Sequence, residues 1–591
     1  MARRIAIALL RNDLRVSDNP ILYAARDAPG VTHLLPLFVF DERQVELSGV
    51  VGFKEARSPK DGPLLDAKTR ICGFWRTGRH RARFLAQSVF DLKSQLESVG
   101  SNLGVYLGRP ENVVPRLVHQ LRVQGDTIEG VWLQRESASE EISVERRLSR
   151  ALEEIQTTLH LDAGARTLVH ESDLPFQMPS QLPDVFTTFR KRVEGLNEKM
   201  IRPVLPNSSK AEWKPFPTIE THSKDTDTPE SRIFALPKDL TEDLFVEQLT
   251  VPLSAELLPG DKSHGMAYYE VPGTAFPFKG GESFARQRLD YYLGAGGTGE
   301  NCPATTYKET RNGLLGADYS TKFSPYLTFG CLSAREVAAR CDDLEDRLRE
   351  AGKLTDAARK NIYWIKFELL WRDYMFFINV KYGDNLFKPQ GLSTGLSSGD
   401  ANARSDWNQW ESRDSKLQAW VSKNEKLSNL FEKSLTSASY MSNRGRQNVA
   451  SYLIKDLYFD WRIGAGSYVA GVGNDPREER KFNVIKQAKD YDPDGEYVTQ
   501  WVPEVSGSEL SGFQRHIPWR IWSGSEENNW SRSYPRSPVV EDSSWKKFYS
   551  DGDGKRGRYE GGSQRGRGTG RGRRGRGGGR GRNNRGGSRD D

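Results

Sequence analysis

Cysteine is scarce in this chain. Cys72, Cys302, Cys331 and Cys341 are spread over 591 residues and form no Cys-x-x-Cys pair. That argues against a disulfide framework or a cysteine-based zinc site and suits a reducing compartment. Long apolar runs are absent as well, so no segment reads as a membrane-spanning helix. The apolar run 5–10 follows two arginines but ends at Asn12 and Asp13, too early for a secretory signal core. An intracellular location, nucleus or cytoplasm, is expected, and an organelle-targeting role for the short basic start stays open. Histidine is thin: eight residues scattered singly, with none between His264 and His516. That excludes a histidine general acid from the intervening stretch. No Gly-x-Gly-x-x-Gly follows the first apolar run, which argues against a dinucleotide fingerprint there.

The charge is uneven. The formal net charge is +7, yet residues 555–591 hold Lys555 and twelve arginines against Glu560, Asp590 and Asp591, a net +10. The other 554 residues therefore sum to −3, and the basic character belongs to the C-terminal tail. The tail is Arg-Gly-rich, as in Arg571-Gly-Arg-Arg-Gly-Arg576, a composition that cannot build a core. Its arginines suit phosphates and stacked bases, so RNA or single-stranded DNA is the expected partner, with a solubilising tail as the plainer reading. Residues 504–554, rich in Trp, Ser and Pro, read as a flexible arm.

The first 170 residues alternate strand and helix. Runs 5–10, 34–40, 104–108 and 130–134 read as strands. Phe84, Leu85, Val89, Leu92 and Leu96 mark a helix, residues 113–121 another, and a Glu- and Arg-rich helix follows Gln134. The pattern predicts a parallel α/β sheet with ligands at the C-terminal strand ends. Arg11-Asn-Asp-Leu-Arg15 and Gln134-Arg-Glu-Ser-Ala-Ser-Glu-Glu141 lie at two such ends. Residues 204–262, rich in Pro, Ser, Thr and charge, read as a connector with little regular structure.

The second half reads as helical. Ile362, Ile365, Leu369, Phe376 and Val380 define the buried face of a long helix, with Glu368 and Trp371 three apart on a neighbouring face. An acid beside an indole suits a flipped, stacked pyrimidine pair, although an indole on an apolar-striped helix is more often core. Thr321, Lys322 and Ser324 place a hydroxyl, an ammonium and backbone donors before a proline-started helix, sensible chemistry for phosphate. Val449, Tyr452, Leu453 and Leu457 share one helical face, and Asn443, Arg444 and Arg446 stand at its start, a seat for a diphosphate or an ordinary solvated helix end.

Long runs carry a family resemblance. Met441-Ser-Asn-Arg-Gly-Arg446, Gly471-Val-Gly-Asn-Asp-Pro-Arg477, Lys489-Asp-Tyr-Asp-Pro493, Tyr307-Lys-Glu-Thr-Arg-Asn-Gly313 and Asp318-Tyr-Ser-Thr-Lys-Phe-Ser-Pro-Tyr326 resemble the DASH cryptochromes of the cryptochrome/DNA photolyase family. The resemblance implies a Rossmann-like α/β antenna domain over 1–172, a connector over 173–264 and an all-helical FAD-binding domain over 265–503, ahead of the arm and the disordered tail 555–591. It assigns Tyr307, Thr321, Lys322, Phe323, Ser324, Asn443 and Arg446 to FAD and Glu136 to 5,10-methenyltetrahydrofolate. Glu368, Trp371 and Tyr468 would meet the DNA lesion, and Trp410 and Trp461 would relay electrons to the flavin. The implied activity is light-driven repair of cyclobutane pyrimidine dimers, preferably in single-stranded DNA, by a monomer that also serves as a photoreceptor. No metal is required.

Two segments depart from the family pattern. Only residues 463–470 separate Asp460-Trp461-Arg462 from Gly471, where the family has a further helix and loop with a flavin-proximal tryptophan. Lys423-Asn-Glu-Lys-Leu-Ser-Asn429 replaces a Thr-Gly-x-Pro and an Asp-Ala. The departures and the basic tail together support an alternative: a blue-light signalling or RNA- or single-stranded-DNA-binding protein with little or no repair activity.

Overall fold

Ile5, Ile7 and Leu9 point to one face of a strand, and Ala6, Ala8 and Leu10 to the other; all six are buried. A strand covered on both sides belongs at the centre of a parallel sheet. The computed structural model, which describes residues 2–64, 66–69, 75–206, 212–219, 232–254, 276–387, 441–452, 454 and 483–518, places it there. Six strands, β1 (Arg4–Leu10), β2 (His33–Asp41), β3 (Gly104–Gly108), β4 (Thr127–Gln134), β5 (Leu159–Asp162) and β6 (Phe234–Ala235), form one sheet in the order β5-β4-β1-β2-β3-β6. The pairs among β1 to β5 are parallel; β6 adds antiparallel to β3. The strand order reverses between β1 and β4, the crevice where such sheets bind ligands.

The helices used below are α1 (Pro20–Arg26), α2 (Arg79–Ser98), α3 (Pro110–Val123), α4 (Ser139–Glu154), α5 (Phe186–Glu194), α6 (Glu242–Ser254), α7 (Glu282–Tyr292), α8 (Tyr307–Thr310), α9 (Ser324–Thr328), α10 (Ala334–Glu350), α11 (Asp356–Tyr382) and α12 (Asn443–Ser451). The mixed architecture matches the expected fold class: a parallel-sheet domain followed by helices. α2, α3 and α4 confirm the helices expected before and after β3 and after β4.

Three expectations need correction. The stretch 204–262, expected to hold little regular structure, supplies β6 and a core helix, α6, whose Phe245, Leu249 and Leu253 recur at helical spacing and are fully or nearly fully buried. The buried face of α11 runs through Ile362, Ile365 and Leu369 as expected, then through Asp373, Tyr374, Phe377 and Ile378 rather than Phe376 and Val380. The carboxylate of Asp373 turns inward because the backbone N–H groups of Leu168 and Val169 donate to it at 2.9 and 2.8 Å. Within the expected arm, Val505, Leu510, Phe513 and Ile517 are buried. The tail and most of that arm lie outside the described residues.

Buried polar contacts join the sheet domain to the helices. Asp18, wholly buried, accepts from Arg335 at 2.5 and 3.1 Å, from Ser333 Oγ at 2.5 Å and from the N–H of Leu205 at 3.0 Å. Arg15 donates to the carbonyl of Gly330 at 2.8 Å, and Glu282 accepts from the N–H groups of Val16 and Ser17 at 2.6 and 3.2 Å. Gly330, at φ +67°, comes so close to the β1 loop that an added Cβ would lie 2.0 Å from the carbonyl oxygen of Asn12. Of the cysteines, Cys302, Cys331 and Cys341 are buried and form no disulfide with one another; Cys72 lies outside the described residues.

Candidate functional site

Two clusters of chemistry-bearing residues emerge. The first sits at the β1/β4 crevice. Glu136, two residues beyond β4, is buried; its Oε1 accepts from Asn12 Nδ2 at 2.9 Å and from Arg166. Both bonds use Oε1, which leaves Oε2 for a ligand. Around it, Asp13 Oδ2, Gln134 Nε2, Arg11 Nε and Asn379 Oδ1 are buried without a hydrogen-bond partner among the described residues. Such atoms are costly unless something pairs with them, about 1–3 kcal/mol each. Burial pushes the Asp13 carboxyl up, and the nearby Glu136 pushes it the same way against Arg11 and Arg15. Burial raises Glu141 too, with Glu136 and Glu140 adding to it.

The second cluster is built by α7, α8, the turn before α9, α11 and the start of α12. Tyr307 and Phe323 both meet Tyr292 edge-on, at centroid distances of 6.4 and 5.8 Å, and all three are buried. Lys322 is buried and adopts φ +62°, a left-handed backbone that a long side chain rarely takes up. Its Nζ donates to Ser320 Oγ at 3.1 Å. Thr321 Oγ1 accepts from the N–H of Phe323 at 3.4 Å, and the exposed Ser324 opens α9. An ammonium held in so unusual a conformation fits an anion seat. Arg288 supports the turn from behind, donating to the carbonyl oxygens of Thr321 at 3.0 Å, Ala317 at 2.9 Å and Ser320 at 3.2 Å, and to Asp318 at 2.9 Å.

Ser442 caps α12, accepting from the N–H of Gly445 at 3.1 Å. Asn443 is exposed at the first turn, and Arg446 donates to the carbonyl of Met441 at 3.1 Å. Arg444 reaches back to Asn312 Oδ1 at 3.2 Å, tying α12 to the loop after α8.

On α11, Glu368 and Trp371 are each half-buried and already engaged. Glu368 pairs with Arg311, which follows α8 directly. Burial pushes its carboxyl up, while Arg311 and Arg444 pull it down. Trp371 stacks on Phe186 of α5 at a centroid distance of 3.6 Å and an interplanar angle of 15°. One face of the indole is thus covered by protein, a partner the sequence did not reveal. Arg311 and Phe186 are the residues missed. Arg311 could have been found from its place four residues after Tyr307, one helical turn on; Phe186 had no local signal.

The structure therefore brings Tyr307 and Phe323 together against Tyr292, with Thr321, Lys322 and Ser324 on the same turn as Phe323, ties α12 to Asn312 through Arg444, and pairs Glu368 with Arg311. Trp410, Trp461 and Tyr468 lie outside the described residues. No helix among the described residues is long and apolar enough to cross a membrane, and none of their His, Cys, Asp and Glu side chains cluster as a metal site.

Comparison with known proteins gives the arrangement its context. The DNA photolyase family matches residues 6–208, and the FAD binding domain of DNA photolyase matches residues 465–550. Cryptochrome DASH of Xenopus laevis is 36% identical over 572 residues, 92% of this chain and 91% of that protein. Cryptochrome DASH of Danio rerio is 35% identical, with 92% of each chain covered. The crystal structure of the Synechocystis cryptochrome superposes with a TM-score of 0.67 at 31% identity, covering 92% of this chain and 97% of that one. With likeness on this scale, and with an FAD-binding domain matched, the chain belongs to the DASH cryptochromes of the cryptochrome/DNA photolyase family.

Proposed function

We propose that this protein is a blue-light and UV-A flavoprotein that repairs cyclobutane pyrimidine dimers, preferably in single-stranded DNA, and also acts as a photoreceptor. One observation carries the reading: Tyr307 of the cofactor seat and Arg311, which holds Glu368, flank a single helical turn. On this reading the cofactor side and the lesion side would form one unit.

Tyr307, Thr321, Lys322, Phe323 and Ser324, with Asn443 and Arg446, would hold FAD, which when bound in reduced form supplies the light-driven electron that opens the cyclobutane ring. The chain's own work is recognition. Lys322 would supply an ammonium to the diphosphate. Glu368 takes hydrogen bonds from the base edges of a flipped dimer, and Trp371 lends an indole for stacking. Arg311 and Arg444 attract the backbone phosphates beside the lesion. Trp410 and Trp461 would feed electrons to the cofactor, and Tyr468 would close the lesion pocket. At the β1/β4 crevice, Glu136 would hold the pterin of a folate, whose amino and ring N–H groups suit a carboxylate acceptor. This is the antenna site for methenyltetrahydrofolate.

The test is loss of dimers from UV-irradiated oligothymidine under blue light with a reductant, with a dark control. Light-dependent loss is expected. A flavin-loaded protein that leaves the dimers intact would overturn the repair role.

The +10 charge of residues 555–591 favours a second reading, in which the chain signals or binds RNA or single-stranded DNA with little repair. Binding of a poly-uridine probe in darkness should then fall with salt, and deleting 555–591 should flatten that slope. An unchanged slope would remove the tail from nucleic-acid binding.

A further inference from the structure

Arg288 is buried, yet none of the proposed cofactor roles uses it. Its guanidinium stands within 4.9, 5.4 and 5.0 Å of the Phe276, Tyr291 and Tyr292 ring centroids. Every N–H bond it makes goes to the segment 317–321: the carbonyls of Ala317, Ser320 and Thr321, and the carboxylate of Asp318. Tyr291 also donates to that carboxylate, at 2.8 Å. We infer that Arg288 is a positioning residue for the phosphate end of the flavin seat.

Two physical effects lead there. First, three backbone carbonyls drawn onto one guanidinium face away from the outer side of the turn. Carbonyl dipoles aimed outward would repel a diphosphate; turned inward, they leave hydroxyl, N–H and ammonium groups to meet it. The turn also leads directly into Lys322, whose left-handed backbone needs a fixed approach. Second, Asp318 is an anion four residues from Lys322. Arg288 and Tyr291 hold its charge on the side of α7; burial acts against that charge, but Tyr291 and then Arg288 keep the carboxyl below its ordinary range. Without the guanidinium, Asp318 would compete with the phosphates for the ammonium of Lys322. This inference rests on the flavin reading of the seat.

Apoprotein should be titrated with FAD and, separately, with riboflavin, which lacks phosphate, following flavin fluorescence quenching. Arg288→Met is expected to weaken FAD binding at least tenfold while riboflavin binding changes less than twofold. Adding Asp318→Asn to Arg288→Met should recover part of the FAD affinity, and Arg288→Lys should fall between wild type and Arg288→Met. Equal losses for FAD and riboflavin would make Arg288 a purely structural residue and overturn the inference, as would an Arg288→Met protein with wild-type affinity for both. Wild-type apoprotein that binds neither flavin would overturn the flavin seat, and the inference with it. Thermal melts of each apoprotein complete the test: loss of FAD affinity that recovers in the Asp318→Asn background without a matching recovery of the melting temperature assigns the effect to charge at the seat.

Discussion

Removing the charge of Asp18 tests what holds the sheet domain against the helices. The carboxylate is wholly buried, and it accepts twice from Arg335, whose side chain is only 8% exposed. In Asp18→Leu the guanidinium stays buried without its anion, a loss of about 3–5 kcal/mol. Asp18→Leu combined with Arg335→Met removes both charges. Two lesser donors then remain unmet, the N–H of Leu205 and the hydroxyl of Ser333, so the double variant should cost only about 1–3 kcal/mol. The site crosses the junction, so local opening is the quantity to read. The N–H of Leu14 donates to the carbonyl of Phe329 at 3.0 Å and reports directly on separation of the β1 loop from α9. Native-state hydrogen exchange at Leu14 should accelerate by about 100-fold or more in Asp18→Leu and recover most of that change in the double variant. If both variants exchange equally fast, the cost lies in the shape of the loop and the charge-pair reasoning is wrong.

The other predictions concern the proposed sites and one buried acid. Glu136→Gln should reduce folate retention at least tenfold, seen as loss of the near-ultraviolet antenna band with flavin content unchanged; an unchanged band would remove Glu136 from the antenna site. Glu368→Ala should weaken binding of a dimer-containing oligonucleotide by about 1–3 kcal/mol relative to the undamaged strand, and equal losses on both in a filter-binding assay would argue against lesion recognition. Asp373 titrates at about 7 because burial penalises its charge, against the two N–H donors and Arg372. Its folded pKa thus lies above the unfolded value of about 4, so the native state holds the extra proton. Stability from this group is full below about pH 4, declines as pH rises towards 7 and is lost above it. Urea unfolding across that window should show the decline in wild type and a flatter profile in Asp373→Asn; identical profiles would refute it.

The sheet was legible because its central strands are buried on both faces and read as continuous apolar runs. The run 104–108 coincides with β3, and 5–10 falls one residue short of β1. The turn before α9 suggested an anion seat for another reason: hydroxyl, ammonium and proline lie within five residues. What escaped was non-local. α6 hid in a stretch coloured by Pro and Thr, although Phe245, Leu249 and Leu253 kept a helical period. Phe186 and Trp371 are 185 positions apart, and nothing near either one foretells their stacking. Arg288 looks like any basic residue of a surface helix, because its four oxygen partners come from a turn about 30 residues away. The lower half of α11 was misread because its buried face carries a charged residue, Asp373, whose partners are two backbone N–H groups of another segment.

That misread half explains how the two sites are held together. Glu368 and Trp371 lie on α11, and so do Arg372, Asp373, Phe376 and Asn379. Arg372 donates to the carbonyls of Arg166 and Leu327; Phe376 lies 5.3 Å from the guanidinium of Arg166; Asn379 donates to Ser137 Oγ at 3.0 Å. Arg166 and Ser137 flank Glu136. At 1.5 Å of rise per residue, Glu368 and Asn379 are about 16 Å apart along one unbroken helix. An antenna passes energy efficiently only if its distance and orientation to the acceptor are fixed. On the proposed reading, a helix clamped at one end by Arg311 and at the other by Arg166, Leu168 and Val169 would supply both. The inward turn of Asp373 therefore has a consequence beyond packing: it anchors the end of α11 nearest Glu136, the proposed antenna site, on the helix that carries the proposed lesion contacts, so loosening Asp373 should disturb the β1/β4 crevice before it disturbs the turn at Lys322.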